Sequence, residues 1–521
     1  INSMILDSLI YFQYKNKMVP VGLLLVGLAT GNNVDIKPLE EPLSGYTFGW
    51  VINDTTLVAN MTVQTTGWVG FGIGEAGSGA MAGADIVTCF VAANGVAVIS
   101  DMFAVATGKP TEDVIQDWHL VSAELNNGIT TCVVARALDT GDIHEDHAIA
   151  NDGIGSSFRL LFAYGTTEAE FTYHGNNRVY RDVDLFNPGL NVTEAILSQP
   201  DYEGSIDFLN PNYAIPPAET TYWNTCFDQD AIFQDGVSII GIGPVLQENT
   251  TEFIHHFTVY ANSVKCDEAD DAPGEMVFLY APGAQPSIMP DGVGFSLGAK
   301  VNGYLSISVQ THFNNPKKIT NMTDNSGIRV YITNSSSLRP IEMGILQLGD
   351  PFVNMRDCPA SENGCNPPHE TPEKLPIGYS RYSFECPATT TSKLEGDLNV
   401  LGSLLHMHQT GVAMRTRIVR DGEVVAITSK EYYDFNFQGL SNFNTTIKPG
   451  DTLLTECMYM TTKETYFGLG SADEMCIDYV MYYPKTTKFG WSDTCGYGPG
   501  VDGLFLANES GPLSSVNDLN R

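Results

Sequence analysis

Apolar residues along this chain come in short runs broken by glycine-bearing turns. Examples are Trp50-Val51-Ile52, Leu57-Val58-Ala59, Gly67-Trp68-Val69-Gly70-Phe71-Gly72, Asp85-Ile86-Val87-Thr88-Cys89 and Thr131-Cys132-Val133-Val134. Runs of this length with turn signals between them predict β-strands stacked as a sandwich. Near the C-terminus, residues 415–419 and 423–428 flank Asp421-Gly422, a hairpin-turn dipeptide. The pattern predicts an all-β chain with few, short helices. A first strand-rich unit is expected over residues 40–190. Residues 191–218, rich in Pro, Asn and Asp, read as a linker. A second strand-rich region runs over 219–375, ending in the loop Cys358-Pro359 to Cys365-Asn366-Pro367-Pro368, which a short disulfide could pin. A last unit spans 376–505, followed by a tail over 506–521. There is no repeat of solenoid length and no low-complexity tract.

Length and composition agree with this division. A chain of 521 residues is too long for one core and suggests about three domains. Its 50 glycines and 27 prolines, with abundant Thr, Val, Phe and Tyr, favour strands. The charge balance, 27 Lys and Arg against 61 Asp and Glu, gives a net charge of -34, which repels a phosphate backbone and argues against nucleic acid as a partner. Ten cysteines without a C-x-x-C pair suit disulfides better than a zinc ribbon. Glycosylation sequons stand at Asn53, Asn60, Asn191, Asn249, Asn321, Asn334, Asn444 and Asn508. Lys15-Asn16-Lys17 precedes an apolar run over 19–29, so residues 1–30 have the order of a signal peptide, too short to span a bilayer. Together these predict a secreted protein, extracellular or in a secretory-vesicle lumen, with no transmembrane segment in the mature chain.

Candidate chemistry lies in the histidines. In Leu404-Leu405-His406-Met407-His408-Gln409-Thr410-Gly411 two imidazoles stand at i and i+2, on one face of a strand, where both can grip one metal. In Phe253-Ile254-His255-His256-Phe257-Thr258-Val259-Tyr260 the imidazoles are adjacent. A regular strand would pack one and solvate the other, and both could meet one metal only across a twist or bulge. His312 follows in Val309-Gln310-Thr311-His312-Phe313, and Met475 in Asp473-Glu474-Met475-Cys476-Ile477-Asp478-Tyr479. A lone Met is ordinarily core. His144 and His147 have the wrong spacing for a metalloprotease helix and read as an acidic, solvated loop, while His119 and His369 have no partner in sequence. No Walker loop, nucleophile elbow or dinucleotide fingerprint is present.

The segment 67–72 followed by Met81-Ala82-Gly83-Ala84-Asp85-Ile86 resembles the DOMON domain, an extracellular β-sandwich. The order of histidine motifs after it resembles the copper type II, ascorbate-dependent monooxygenases, in the layout of the dopamine β-monooxygenase branch: a DOMON domain followed by two jelly-roll-like copper domains. That resemblance implies two copper ions. His255, His256 and His312 match the ligands of the electron-storing copper, and His406, His408 and Met475 match those of the oxygen-binding copper, the two lying apart across a solvent-filled cleft. Three imidazoles suit both copper oxidation states, and a soft thioether favours Cu(I). Zinc competes for the first set but leaves the methionine set without a use. Ascorbate is then the reductant, and a C-H bond of a small organic substrate, phenethylamine-like in that branch, is hydroxylated with O2. The runner-up is a non-catalytic extracellular copper-binding or structural protein on the same scaffold.

Several positions depart from the family pattern. Phe257 and Met407 replace a Met and a Thr. Leu404 and Ile477 replace the Arg and Asn of peptide-amidating members, which removes a carboxylate anchor, while Asp478 and Tyr479 lie where they could meet an ammonium, Asp478 serving equally well as a structural residue. The family pattern also implies disulfides Cys457–Cys476 and Cys386–Cys495, and elimination and proximity add Cys226–Cys266, Cys358–Cys365 and Cys89–Cys132. Met81 and His174 fall where haem-binding DOMON relatives carry their axial ligands, so the first domain either holds haem b or packs and solvates these two side chains.

Overall fold

In the computed structural model strand makes up 54% of the described residues and helix 3%, so the fold is all-β. The structure describes residues 11–14, 17–20 and 37–510, apart from 76–80, 106–107, 143–144, 152–156, 168–170, 188–191, 229–234, 269–273, 283, 285, 334–335, 352–373, 490–492 and 498–502. The leader expected over 1–30 falls mostly outside these residues, as do the Cys358–Cys365 pairing, His144 and His369.

The N-terminal unit stacks two antiparallel sheets. One orders His119–Asn126, Ile129–Ala137, Thr56–Val63, Tyr46–Ile52 and Lys37–Leu43, and the other runs from Arg178–Asp184 through Ser157–Tyr164, Val69–Glu75, Asp85–Val91 and Ala97–Phe103 to Thr111–Glu112. Alternation along each strand sends Tyr46, Phe48, Trp50, Phe71 and Phe162 into the shared core. Cys89 and Cys132, one from each sheet, are joined across that core. Half-buried His147 is held rather than solvated: its Nε2 lies 2.5 Å from the Gly83 carbonyl oxygen, and its own carbonyl accepts from Arg136.

Ordered structure begins inside the stretch expected to be a linker. A helix at Val192–Leu197 precedes the strand Gly204–Leu209, which pairs with Gly327–Ile332 at the edge of a sheet of the next unit. Facing that sheet is a four-stranded one, Thr220–Asp228, Ser306–Asn314, Ile254–Asn262 and Glu275–Tyr280. The last unit sets Gly344–Gly349, Ile477–Tyr483, Leu398–His406 and Ser441–Ile447 against a five-stranded sheet containing Gly411–Arg420, Thr452–Thr461 and Gly378–Cys386. Gly344–Gly349 precedes the boundary expected near 375, yet its partner is Ile477–Tyr483. The chain crosses into the last unit earlier than the proline-rich loop suggests.

The second and third units share one apolar core. Phe257, Phe278 and Phe295 from one belong to the same buried cluster as Leu404, Met407, Tyr479 and Met481 from the other. Large apolar contact of this kind holds two sandwiches in a fixed relation. Cys226–Cys266, Cys386–Cys495 and Cys457–Cys476 are all formed. The last of these ties Thr452–Thr461 to the residue that follows Met475.

Candidate functional site

The adjacent histidines reach one place through a backbone irregularity. Pairing between Ile254–Asn262 and Ser306–Asn314 slips between Ile254 and His256, and His256 comes into register with His312. The bulge that adjacency requires is present, and both His255 and His256 are buried, against the reading of one packed and one solvated. The Nδ1 atoms of the three imidazoles converge: His255 lies 3.0 Å from His256 and 3.1 Å from His312, nitrogen to nitrogen. Tyr222 stacks on His312 at 4.4 Å between ring centroids, and Phe435 on His255 at 4.1 Å.

The second pair is built differently. The strand Leu398–His406 ends at His406, and His408 lies beyond it, at the start of a turn closed by the Gly411 amide donating to the His408 carbonyl. Strand alternation alone therefore does not align the two rings, which sit 5.2 Å apart at 90°. Glu474 does much of the holding. Its carboxylate accepts from the backbone N–H of His408 at 3.0 Å and of Thr410 at 2.6 Å, and from the Thr410 hydroxyl at 2.7 Å. Burial pushes Glu474 up to about 7, with these donors pulling the other way. Tyr433 brackets Met407, accepting from its N–H at 2.8 Å and donating to its carbonyl at 2.5 Å. The departure at 407 thus places an apolar side chain in the shared core with its backbone pinned by a phenol.

Each imidazole of this pair spends Nδ1 on the protein. His406 Nδ1 donates to Gln438 Oε1 at 2.6 Å, and His408 Nδ1 to the Asp473 carbonyl at 3.1 Å. Those bonds put the proton on Nδ1 and leave each Nε2 as the lone-pair nitrogen. His408 Nε2 is buried with no protein partner. Met475 is buried nearby, its carbonyl accepting from the Tyr459 hydroxyl at 2.7 Å, in the segment 473–477 that wraps His408 and pairs with His406.

Burial, reinforced at most of these rings by neighbouring imidazoles, keeps all five histidines neutral. His255, His256 and His408 are held well below the ordinary value, His312 is lowered to about 3 and His406 to about 4. Neutral imidazoles with three clustered Nδ1 atoms and an unpartnered buried Nε2 are a donor set that fits a soft or borderline metal ion such as copper.

The two sets do not lie apart across an open cleft, as the family resemblance implied. His256 and His406 are 5.4 Å apart between ring centroids, His255 and His408 5.8 Å, and His312 and His408 6.3 Å. The reason lies in side chains of the last unit that reach across: Gln438 Nε2 lies 3.1 Å from His255 Nε2, and Ser471 Oγ 3.1 Å from His312 Nε2. Gln438, Phe435, Glu474, Ser471 and Tyr222 were all missed in sequence. The only local hint is the aromatic alternation of Tyr433-Asp434-Phe435-Asn436-Phe437-Gln438.

Asp478 does not face these groups. Its carboxylate accepts from Ser403 Oγ at 2.5 Å inside the last sandwich, and burial raises it to about 6. Tyr479, on the opposite face of the strand, lies 6.3 Å from His406 between ring centroids. Tyr479 also walls a small, partly open recess of about 20 Å³ lined by Phe278, Ile345, Leu404, Leu440 and Met481 among others, with no charged side chain in its lining. Met81 is half-buried against Ala84, Ile86, Met102 and Ala104. His174 is also half-buried, its Nδ1 3.0 Å from the Gly175 oxygen and its ring against Tyr173.

Comparison with known proteins follows the same division. Residues 43–165 match the DOMON domain, 206–320 the copper type II ascorbate-dependent monooxygenase N-terminal domain, and 373–494 the C-terminal domain of that family. The chain is 30% identical to DBH-like monooxygenase protein 1 of Homo sapiens, over 89% of this chain and 76% of that protein. It is 28% identical to DBH-like monooxygenase protein 2 of Mus musculus, over 88% and 72%. It is 27% identical to dopamine beta-hydroxylase of Homo sapiens, over 80% and 67%.

Proposed function

Because the chain belongs to the copper type II ascorbate-dependent monooxygenases, with a DOMON domain ahead of the two copper domains, we propose that it holds two copper ions and hydroxylates a C-H bond of a small apolar organic substrate. The observation that carries this reading is the pair of donor sets: three buried Nδ1 atoms converging from His255, His256 and His312, and His406 and His408 with Nδ1 tied to protein oxygens. Bound copper would supply O2 activation and one-electron storage, with ascorbate giving two electrons, one oxygen atom entering the C-H bond and the other leaving as water.

The chain's own residues do the rest. Gln438 and the Asp473 carbonyl hold the His406 and His408 rings with Nε2 presented, and Met475 offers a thioether to the same ion. Phe435 and Tyr222 cover His255 and His312 and keep water from the first set. The small recess beside Tyr479 and Leu404 is lined by apolar and uncharged groups and offers a substrate no charged partner. Asp478, turned into the sandwich interior, offers a phenethylamine ammonium no anchor. Four disulfides among the described residues support synthesis in an oxidising secretory compartment, and no helix there is long and apolar enough to cross a membrane.

The test is ascorbate-dependent O2 uptake by copper-loaded protein with three substrate sets: neutral alkyl aromatics, phenethylamines and glycine-extended peptides. Uptake with stoichiometric hydroxylation is expected, fastest with the neutral set. No uptake with any compound from protein that binds copper would favour the non-catalytic scaffold.

A further inference from the structure

The segment 431–440 has two faces with different neighbours. On one side Tyr433 pins the Met407 backbone, Phe435 lies flat on His255 at 4.1 Å and 17°, and Gln438 accepts from His406 while its amide nitrogen lies against His255. The Gln438 side chain is itself oriented, because its Nε2 donates to the Phe435 carbonyl at 2.8 Å, and its backbone N–H donates to the Pro282 carbonyl at 2.7 Å. On the other side the same segment meets the DOMON domain. Tyr432 packs on Gly83, where an added Cβ would come within 2.8 Å of the ring, and on Phe103 at 5.6 Å. Phe437 meets Tyr180 edge-on at 5.9 Å, and the Arg159 guanidinium sits 4.8 Å from its ring centroid. Arg159 is fixed in turn by a bidentate bond to Asp182 at 2.8 and 2.9 Å.

We propose that the DOMON domain is a brace for both histidine sets, acting through Tyr432 and Phe437 on the segment that carries Phe435 and Gln438. Secondary structure does not hold this segment: it forms no strand, and only an isolated bridge links Asp434 to Phe437. A short loop without ladder partners is ordered by what its side chains touch. Here the outward aromatic residues rest on a rigid sandwich, and the inward ones set the lateral position of one imidazole and the ring orientation of another. Tyr432 and Phe437 are therefore positioning residues, and Gln438 is the group through which they act on His406. The inference rests on copper at the two sets but not on turnover.

The decisive experiment uses the full chain, with Phe437→Ala and Tyr432→Ala against the conservative Phe437→Tyr and Tyr432→Phe. Hydrogen exchange on the metal-free protein reads the loop itself. The carbonyl stretch of CO bound to Cu(I) and the Cu(II) EPR hyperfine pattern read the two sets without substrate. The alanine variants should speed exchange across 433–440, shift or broaden the CO band, and lower kcat/KM about tenfold, the scale at which outer partners of metal-ligating histidines act. The conservative variants should restore the wild-type spectra. Faster loop exchange with unchanged CO band and hyperfine pattern would overturn the proposal. So would a spectral shift as large in Tyr432→Phe as in Tyr432→Ala. Should Phe437→Ala fail to fold, Phe437→Leu reads the loss of the Arg159 and Tyr180 contacts at smaller volume change. Failure to bind any copper would count against the two donor sets themselves, separately from the brace.

Discussion

The two histidine sets use one residue type and offer opposite ring nitrogens. In the first, Nδ1 atoms meet one another, and the outer Nε2 of His255 and of His312 rests against Gln438 and Ser471. In the second, Nδ1 is taken by Gln438 Oε1 and the Asp473 carbonyl, and the buried Nε2 of His408 has no protein partner. In the second set, what an imidazole offers a metal is thus decided by the partner on its other side, more than by its place in a strand. The comparison also shows different scaffolding. The first set sits on paired strands with a bulge, so backbone ladders fix it. The second is held by a strand end, a turn and a buried carboxylate, so it depends on side chains that sheet pairing does not supply.

Breaking the second set should have the largest effect. His408→Ala or Met475→Ala should remove copper from that set and lower turnover by about 100-fold or more, while copper at the three-histidine set remains, as metal analysis with EPR would read. Gln438→Ala comes next, because it frees His406 Nδ1 and also removes a contact to His255. A loss of about 10- to 100-fold in copper affinity at the second set is expected, measured by competition with a chelator. Glu474→Ala would sharpen the scaffolding contrast, since it leaves the buried N–H groups of His408 and Thr410 unpaired at a cost of roughly 1–3 kcal/mol each, seen in denaturant unfolding.

Replacing Cys457 and Cys476 by Ser opens a loop of separation 19 beside Met475. It should cost about 3 kcal/mol of stability and weaken the second set more than the first, read by unfolding and by copper content.

Much of this arrangement was legible in the residues. Short apolar runs gave the sandwiches, the His255-His256 adjacency required a bulge, and the four disulfides among the described residues pair as the family resemblance, elimination and proximity implied. What sequence left hidden depends on tertiary contact. Gln438 lies 32 residues from His406 and 183 from His255, with no spacing rule to connect them. The close approach of the two sets is set by side chains crossing between sandwiches, which periodicity within one strand does not report. Gly344–Gly349, ahead of the expected boundary near 375, pairs with a strand more than a hundred residues onward, a contact that composition does not report. Of the two readings of Asp478, ammonium partner or structural residue, its bond to Ser403 fits the structural one: strand alternation puts it on the face opposite Tyr479.

That carboxyl gives the smallest effect and a useful control. Burial raises Asp478 to about 6, above its unfolded value of 3.8, so the fold favours the protonated acid. Its contribution is full below about pH 4 and lost as pH rises through about 6, a swing of roughly 3 kcal/mol at most. Asp478→Asn should flatten that slope in denaturant midpoints measured from pH 4 to 8, and leave copper content unchanged. A fall in copper content would mean that the strand's inner face does contribute to the site.

The most direct measurement is copper stoichiometry with X-ray absorption on the ascorbate-reduced protein. About two coppers per chain are expected, with a copper–sulfur shell that disappears in Met475→Ala while nitrogen scattering persists. A single copper per chain, or a sulfur shell that survives Met475→Ala, would contradict the account of two sets presenting different donors.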